Sequence, residues 1–169
     1  TLGEPDLVFE LPRAFDVPSE GRIDYQYVSV PPGLEEDTWV NGIEVRPGAM
    51  DVVHHILAYA LPAAAYEEGR LRRWDLVDER RGVFAAWAPG AEPSIYPEGH
   101  ARLLEAGTVL LLELHYTPNG TPRKDRSAVG IHLASRDPEW RPEHVVRTAG
   151  ISNRSFEIPA VRTTCSGRH

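Results

Sequence analysis

One cysteine, Cys165, and one methionine, Met50, are all the sulfur this 169-residue chain carries. A single thiol excludes an internal disulfide framework and any cysteine-rich zinc site, and leaves the redox compartment open. No apolar run reaches the length needed to cross a bilayer as a helix, and no signal-peptide pattern precedes the first strand. Positive charge is also short: 18 Lys and Arg stand against 25 Asp and Glu, a formal net charge of −7. An electrostatic nucleic-acid role is therefore not expected. The chain has no G-x-S-x-G nucleophile elbow and no glycine-rich phosphate loop, and Cys165 lies in a polar tail. Acid pairs such as Glu35-Glu36 and Glu67-Glu68 sit beside glycine and read as solvated loops.

What is present is a series of short apolar runs cut by 15 prolines and 14 glycines. Leu7–Leu11 comes first. Ile23–Val30 alternates apolar and polar residues, as a half-buried strand does. Runs follow at 38–45, at 52–61 and at 82–87. Residues 88–107 are rich in Pro and Gly and read as an irregular excursion, while 66–81 reads as a charged surface connector with one helical turn. Thr108–Tyr116 is the most apolar run and is expected to be central. Pro118-Asn119-Gly120-Thr121 is a turn signal. Residues 127–134 alternate again, and 145–146 and 156–158 are late, short strands. Eight to ten strands with no long amphipathic helix predict an all-β chain, an antiparallel β-sandwich of jelly-roll type. At this length, a single domain over 1–160 with a tail at 161–169 is expected.

Histidine marks the chemistry. His54 and His55 are adjacent within an apolar, β-branched run, and His115 lies in a second such run. A buried imidazole without a partner costs free energy, so three of them on two strands point to one shared partner, a metal ion. Neighbours on a flat strand face opposite ways. Either a bulge or strong twist turns one of the pair, or only one is a ligand. Three neutral imidazoles suit copper or zinc and leave a position open for water or substrate. His100, His132, His144 and His169 share no local pattern and carry no ligand role, His132 being the best placed of them to support a site from a strand. Met50 reads as core filler before a strand rather than as a soft ligand.

These residues carry a resemblance. Val52-Val53-His54-His55-Ile56-Leu57 resembles the paired-histidine strand of the copper type II, ascorbate-dependent monooxygenases, whose best-known member is peptidylglycine α-hydroxylating monooxygenase. Leu112-Glu113-Leu114-His115-Tyr116 resembles that family's third-histidine strand, and Asp125-Arg-Ser127-Ala-Val129-Gly130 the segment after it. Trp87-Ala-Pro-Gly90, Pro97-Glu-Gly99, Glu44-Val-Arg-Pro-Gly48 and Leu2-Gly-Glu-Pro-Asp6 are similar to the bacterial branch. The likeness runs over about residues 2 to 160 and implies two tandem copper-binding jelly rolls. The first holds an electron-transfer copper, here on His54, His55 and His115, and the second an oxygen-activating copper on a His-x-His pair and a methionine. It further implies a reductant such as ascorbate and a secreted or periplasmic location, while charge and the lack of a membrane-length run lead us to expect no nucleic-acid or membrane partner.

The chain departs from that plan. It contains no His-x-His, and its one methionine precedes the paired histidines. The expected function is therefore the electron-transfer copper domain of a monooxygenase-like protein, working with a downstream second copper domain. The alternative is a stand-alone copper-binding protein for storage, delivery or electron relay. A third, plainer reading is a β-sandwich whose histidines hold adventitious metal or zinc. Val161 to His169 does not continue the family's linker and is expected to be a poorly packed tail exposing Cys165.

Overall fold

The computed structural model describes residues 3–30, 33–62, 83–135, 137 and 139–148. Among these there are twelve strands and no helix: β1 Leu7–Glu10, β2 Phe15–Val17, β3 Gln26–Val30, β4 Thr38–Arg46, β5 Val53–Pro62, β6 Val83–Trp87, β7 Ser94–Ile95, β8 His100–Leu104, β9 Thr108–Tyr116, β10 Arg123–Asp125, β11 Ala128–Leu133 and β12 His144–Val145. One sheet runs β1-β11-β4-β8-β12, with β7 also on β4. A second runs β3-β9-β5-β6, and β10 and β2 form a separate two-stranded ribbon. All pairings are antiparallel except β8 with β12.

The most apolar run is central, as its composition predicts: β9 is flanked by β3 and β5, and eight of its nine residues are buried. The two sheets share one core. Phe9, Val40, Ile43, Val129 and Ile131 enter it from the first sheet, and Ile56, Ala58, Leu110, Leu112 and Leu114 from the second. Residues of opposite parity on β5 and β9 turn to the other face of the second sheet. There Tyr59, Leu61 and Leu111 form a smaller cluster with Leu57 and Val83.

The Pro- and Gly-rich stretch 88–107 is more ordered than its composition suggests. It contains β7 and β8, and β8 pairs with β4 through Thr38↔Leu104, Trp39↔Leu103 and Val40↔Arg102. Ala101 and Leu104 are fully buried, and long-range pairing overrides the local turn signals. The β2–β10 ribbon has no apolar run of its own and goes beyond the strands expected from periodicity. Met50, expected in the core, is 66% exposed in the turn before β5. Residues 66–81, 156–158 and the tail 161–169 with Cys165 lie outside the described residues.

A buried carboxylate joins the elements around the start of β5 and the end of β9. Asp125 is fully buried. It accepts hydrogen bonds from the Ala49 N–H (2.8 Å), the Tyr116 hydroxyl (2.9 Å) and the Ser127 hydroxyl (2.7 Å). Charge-assisted bonds of this kind are short and strong. Burial first, and the nearby Asp125 charge second, push the Tyr116 hydroxyl well above its ordinary pKa, so it stays a donor. Gly48 lets the turn approach: a Cβ there would lie 2.5 Å from the Arg126 backbone nitrogen. Asp125→Ala leaves three buried donors unpaired, and we expect a loss of about 3 kcal/mol or more. Urea unfolding checks this, with a lower midpoint and an unchanged slope expected; an unaltered midpoint would refute the role given to Asp125.

Candidate metal centre

The geometric obstacle at His54-His55 is removed by a bulge. The β5–β9 register runs Val53↔Tyr116, then His55↔His115 and Ile56↔Leu114, with the shift between Val53 and His55. Val53 and Ile56 both enter the core. A flat strand puts an odd number of residues between two that share a face; here there are two, and both are histidines. The extra residue lets both imidazoles reach the side opposite the core. His115 comes to the same place by ordinary alternation, since Leu114 and Tyr116 on either side of it are core residues.

The three rings gather. Centroids of His54 and His115 are 4.9 Å apart, of His55 and His115 5.0 Å, and of His54 and His55 5.3 Å, each pair steeply inclined. One ligating atom from each residue can be chosen so that all lie within 4.8 Å of one another. His54 Nδ1 and His55 Nδ1 are 3.0 Å apart. Two ligands of one ion at metal–nitrogen distances of about 2.0–2.1 Å stand roughly 3 to 4 Å apart, so this pair is already at ligand spacing. The third ring has to come closer by a side-chain rotation to complete the set. His54 is exposed and the other two are half-buried, which leaves the cluster open at the end of the sheet.

The donor chemistry fits a metal. His115 Nδ1 is buried and has no hydrogen-bond partner. An unsatisfied buried nitrogen is costly, and a cation held by the cluster would give this ring a partner. Burial first, then the adjacent His54 charge and that of Arg22, hold the His115 pKa below the ordinary imidazole value, with Glu113 opposing. The ring is thereby kept in the neutral form that ligation requires.

The surrounding chain fixes the two strand ends. The Thr117 N–H donates to Val52 O at 2.8 Å. Asp51 accepts from Asn119 Nδ2 at 2.9 Å and from Arg123 Nε at 2.8 Å. Desolvation works to raise the Asp51 pKa, but the bonds from Asn119 and Arg123 outweigh it and hold the carboxyl below its ordinary value. Tyr25, just before β3, stacks on His115 with centroids 4.6 Å apart and planes inclined by 21°. Neither Tyr25 nor the Asp125 anchor is foreseen from sequence. Tyr25 occupies an ordinary alternating position, and Asp125 sits in a short polar segment whose burial depends on contacts far along the chain.

The other histidines lie elsewhere. His132 is in the first sheet, buried over Gly42, with Nε2 3.3 Å from Glu44 Oε1. It bonds that carboxylate rather than supporting the three-histidine cluster. His100 and His144, expected to be unrelated, are brought together with ring centroids 4.6 Å apart. His169 lies outside the described residues.

No protein-family model and no curated protein matches the chain.

The lowered His115 pKa gives a stability prediction for the metal-free protein. The unfolded chain binds the proton with an ordinary pKa near 6.5, the native chain with a lower one. The unfolded state therefore takes up more protons as pH falls below about 6.5, and native stability is lost there, being fully present above it. Urea midpoints measured in chelator between pH 7.5 and pH 5 should fall, and fall less in His115→Leu. An equal fall in both proteins would place the effect elsewhere.

Proposed function

We propose that this chain is the electron-transfer copper domain of a copper-dependent monooxygenase-like protein, with a β-sandwich of jelly-roll type as its scaffold. The observation that carries the reading is the bulge that sends both members of a histidine pair toward His115, whose buried Nδ1 has no other partner. The donor set contains only imidazole, without thiolate or carboxylate, which suits a soft-to-borderline ion and favours copper among the available metals. Copper bound there supplies one-electron redox chemistry. The protein's part is to hold three imidazoles converging, to keep the His115 ring neutral by burying it, to pack His115 beneath Tyr25, and to leave the cluster accessible at the end of the sheet to a reductant such as ascorbate.

The linked motifs from Leu2 to Gly130 support the same assignment. Within that reading, C–H hydroxylation belongs to a second copper domain with a His-x-His pair, and the protein works in a secreted or periplasmic setting. The His-x-His pair is absent from this sequence, so the chain alone holds and relays an electron without hydroxylating substrate.

The test is a copper titration of the wild type and His115→Ala, followed by ascorbate and a candidate substrate. One equivalent of Cu(II) should bind at the three-histidine cluster and be reduced by ascorbate. Affinity in His115→Ala should fall by on the order of 100-fold or more, given that even outer-shell losses cost 10–100-fold. Unchanged affinity in the variant would overturn the ligand assignment. Copper-dependent hydroxylation by the wild-type chain alone would overturn the relay assignment.

A further inference from the structure

We propose that His100 and His144 form a second transition-metal site, a two-imidazole clamp for a divalent cation of the zinc or copper class, bridging the parallel strands β8 and β12. The two residues are direct register partners, His144↔His100, followed by Val145↔Ala101. Paired residues on neighbouring strands project from the same face of a sheet. Their rings meet with centroids 4.6 Å apart and planes inclined by 43°.

The hydrogen bonding of His100 prepares it as a ligand. Its Nδ1 lies 3.0 Å from the Glu98 backbone carbonyl. A carbonyl only accepts, so Nδ1 carries the proton and, in the neutral ring, Nε2 carries the lone pair. A histidine that donates one ring N–H to a backbone carbonyl and offers the other nitrogen is the usual arrangement behind a metal ligand, because it sets both tautomer and ring orientation. The electrostatics suit a cation. Glu98 and Glu143 line a cavity of about 440 Å³ together with His100. The Glu143 carboxylate sits against Gly99, within 3.2 Å of where a Cβ would be. Arg141 is the opposing charge on the same wall. Among the described residues the three-donor grouping is His54, His55 and His115 alone, so this second site has two protein ligands and its other positions fall to water.

The site has a mechanical consequence. β12 is two residues long and is held to β8 by few backbone bonds, among them the His144 N–H to Gly99 O at 3.1 Å and the Val146 N–H to Ala101 O at 2.8 Å. A cation shared by the two imidazoles staples this strand to the first sheet, and binding to the paired state alone stabilises that state by mass action.

The experiment uses Zn(II) and the full chain carrying His54→Ala and His115→Ala, so the outcome does not depend on the proposed copper centre. One equivalent of Zn(II) should bind. It should shift the ring-proton resonances of His100 and His144 and slow hydrogen exchange at the His144 and Val146 amides. Adding His144→Ala, an exposed substitution, should weaken Zn(II) binding by on the order of tenfold or more and abolish the exchange protection. If the parent variant fails to fold, the wild type replaces it. Its second equivalent of Zn(II) should then move the same two rings, and His144→Ala should remove that equivalent. Failure of Zn(II) to bind beyond the three-histidine cluster, or affinity unchanged by His144→Ala, would overturn the proposal.

Discussion

A single buried carboxylate ties the candidate site to the fold. Asp125 receives the Tyr116 hydroxyl from the residue after His115, the Ala49 N–H from the turn that leads into β5, and the Ser127 hydroxyl just before β11. A charge that deep is tolerated only because these donors satisfy it, and each donor belongs to a different part of the chain. The bulge at His54 and the strand end at His115 are therefore referenced to one point. The phenol that makes the longest of these bonds is itself stacked on Phe15 at 4.8 Å, so β2 and β10 are drawn into the same arrangement. A short polar segment with no strand-like pattern thus settles where two apolar strands meet.

The second sheet has two unlike faces. One enters the shared core and is apolar. The other passes from Tyr59, Leu61 and Leu111 through the Tyr59–Glu113 hydrogen bond, 3.3 Å long, to the three imidazoles. Along β9 the alternate positions Leu111, Glu113 and His115 pass from apolar to acidic to imidazole. Desolvation, which would otherwise only penalise polar groups, acts on His115 to hold its ring neutral. The same burial that stabilises the sheet therefore keeps a nitrogen available.

Periodicity carried β5 and β9 well, because both are long, apolar and bounded by proline or a turn signal: the strands end at Pro62 and Tyr116, close to the expected limits. It could not decide between a bulge at His54-His55 and a single ligand. Yet the spacing of Val53 and Ile56, three positions apart and both in the core, held the answer in latent form. Short strands were lost where Pro and Gly dominate locally; β8 forms because Ala101 and Leu104 find β4 and the core, a partnership no window of that stretch displays. His100 and His144 stand 44 positions apart in number, and only the parallel β8–β12 register unites them. Asp125 lies in a segment with a legible motif, but its role depends on Ala49 and Tyr116 converging on it from distant parts of the chain.

The bulge also has a counting consequence. A strand has two phases, and every residue inserted or removed exchanges them. Before His54-His55, β5 keeps its phase with Tyr116 through Val53; after the pair it keeps phase with Leu114 through Ile56. The dihistidine is thus a phase defect whose two sides are each pinned by burial. Removing either histidine by deletion would restore an unbroken strand with its core intact, so the candidate site lies one codon away from an ordinary sheet. Substitution retains the defect without the imidazole, whereas deletion erases the defect itself, and the two kinds of sequence change have different structural meanings at this position.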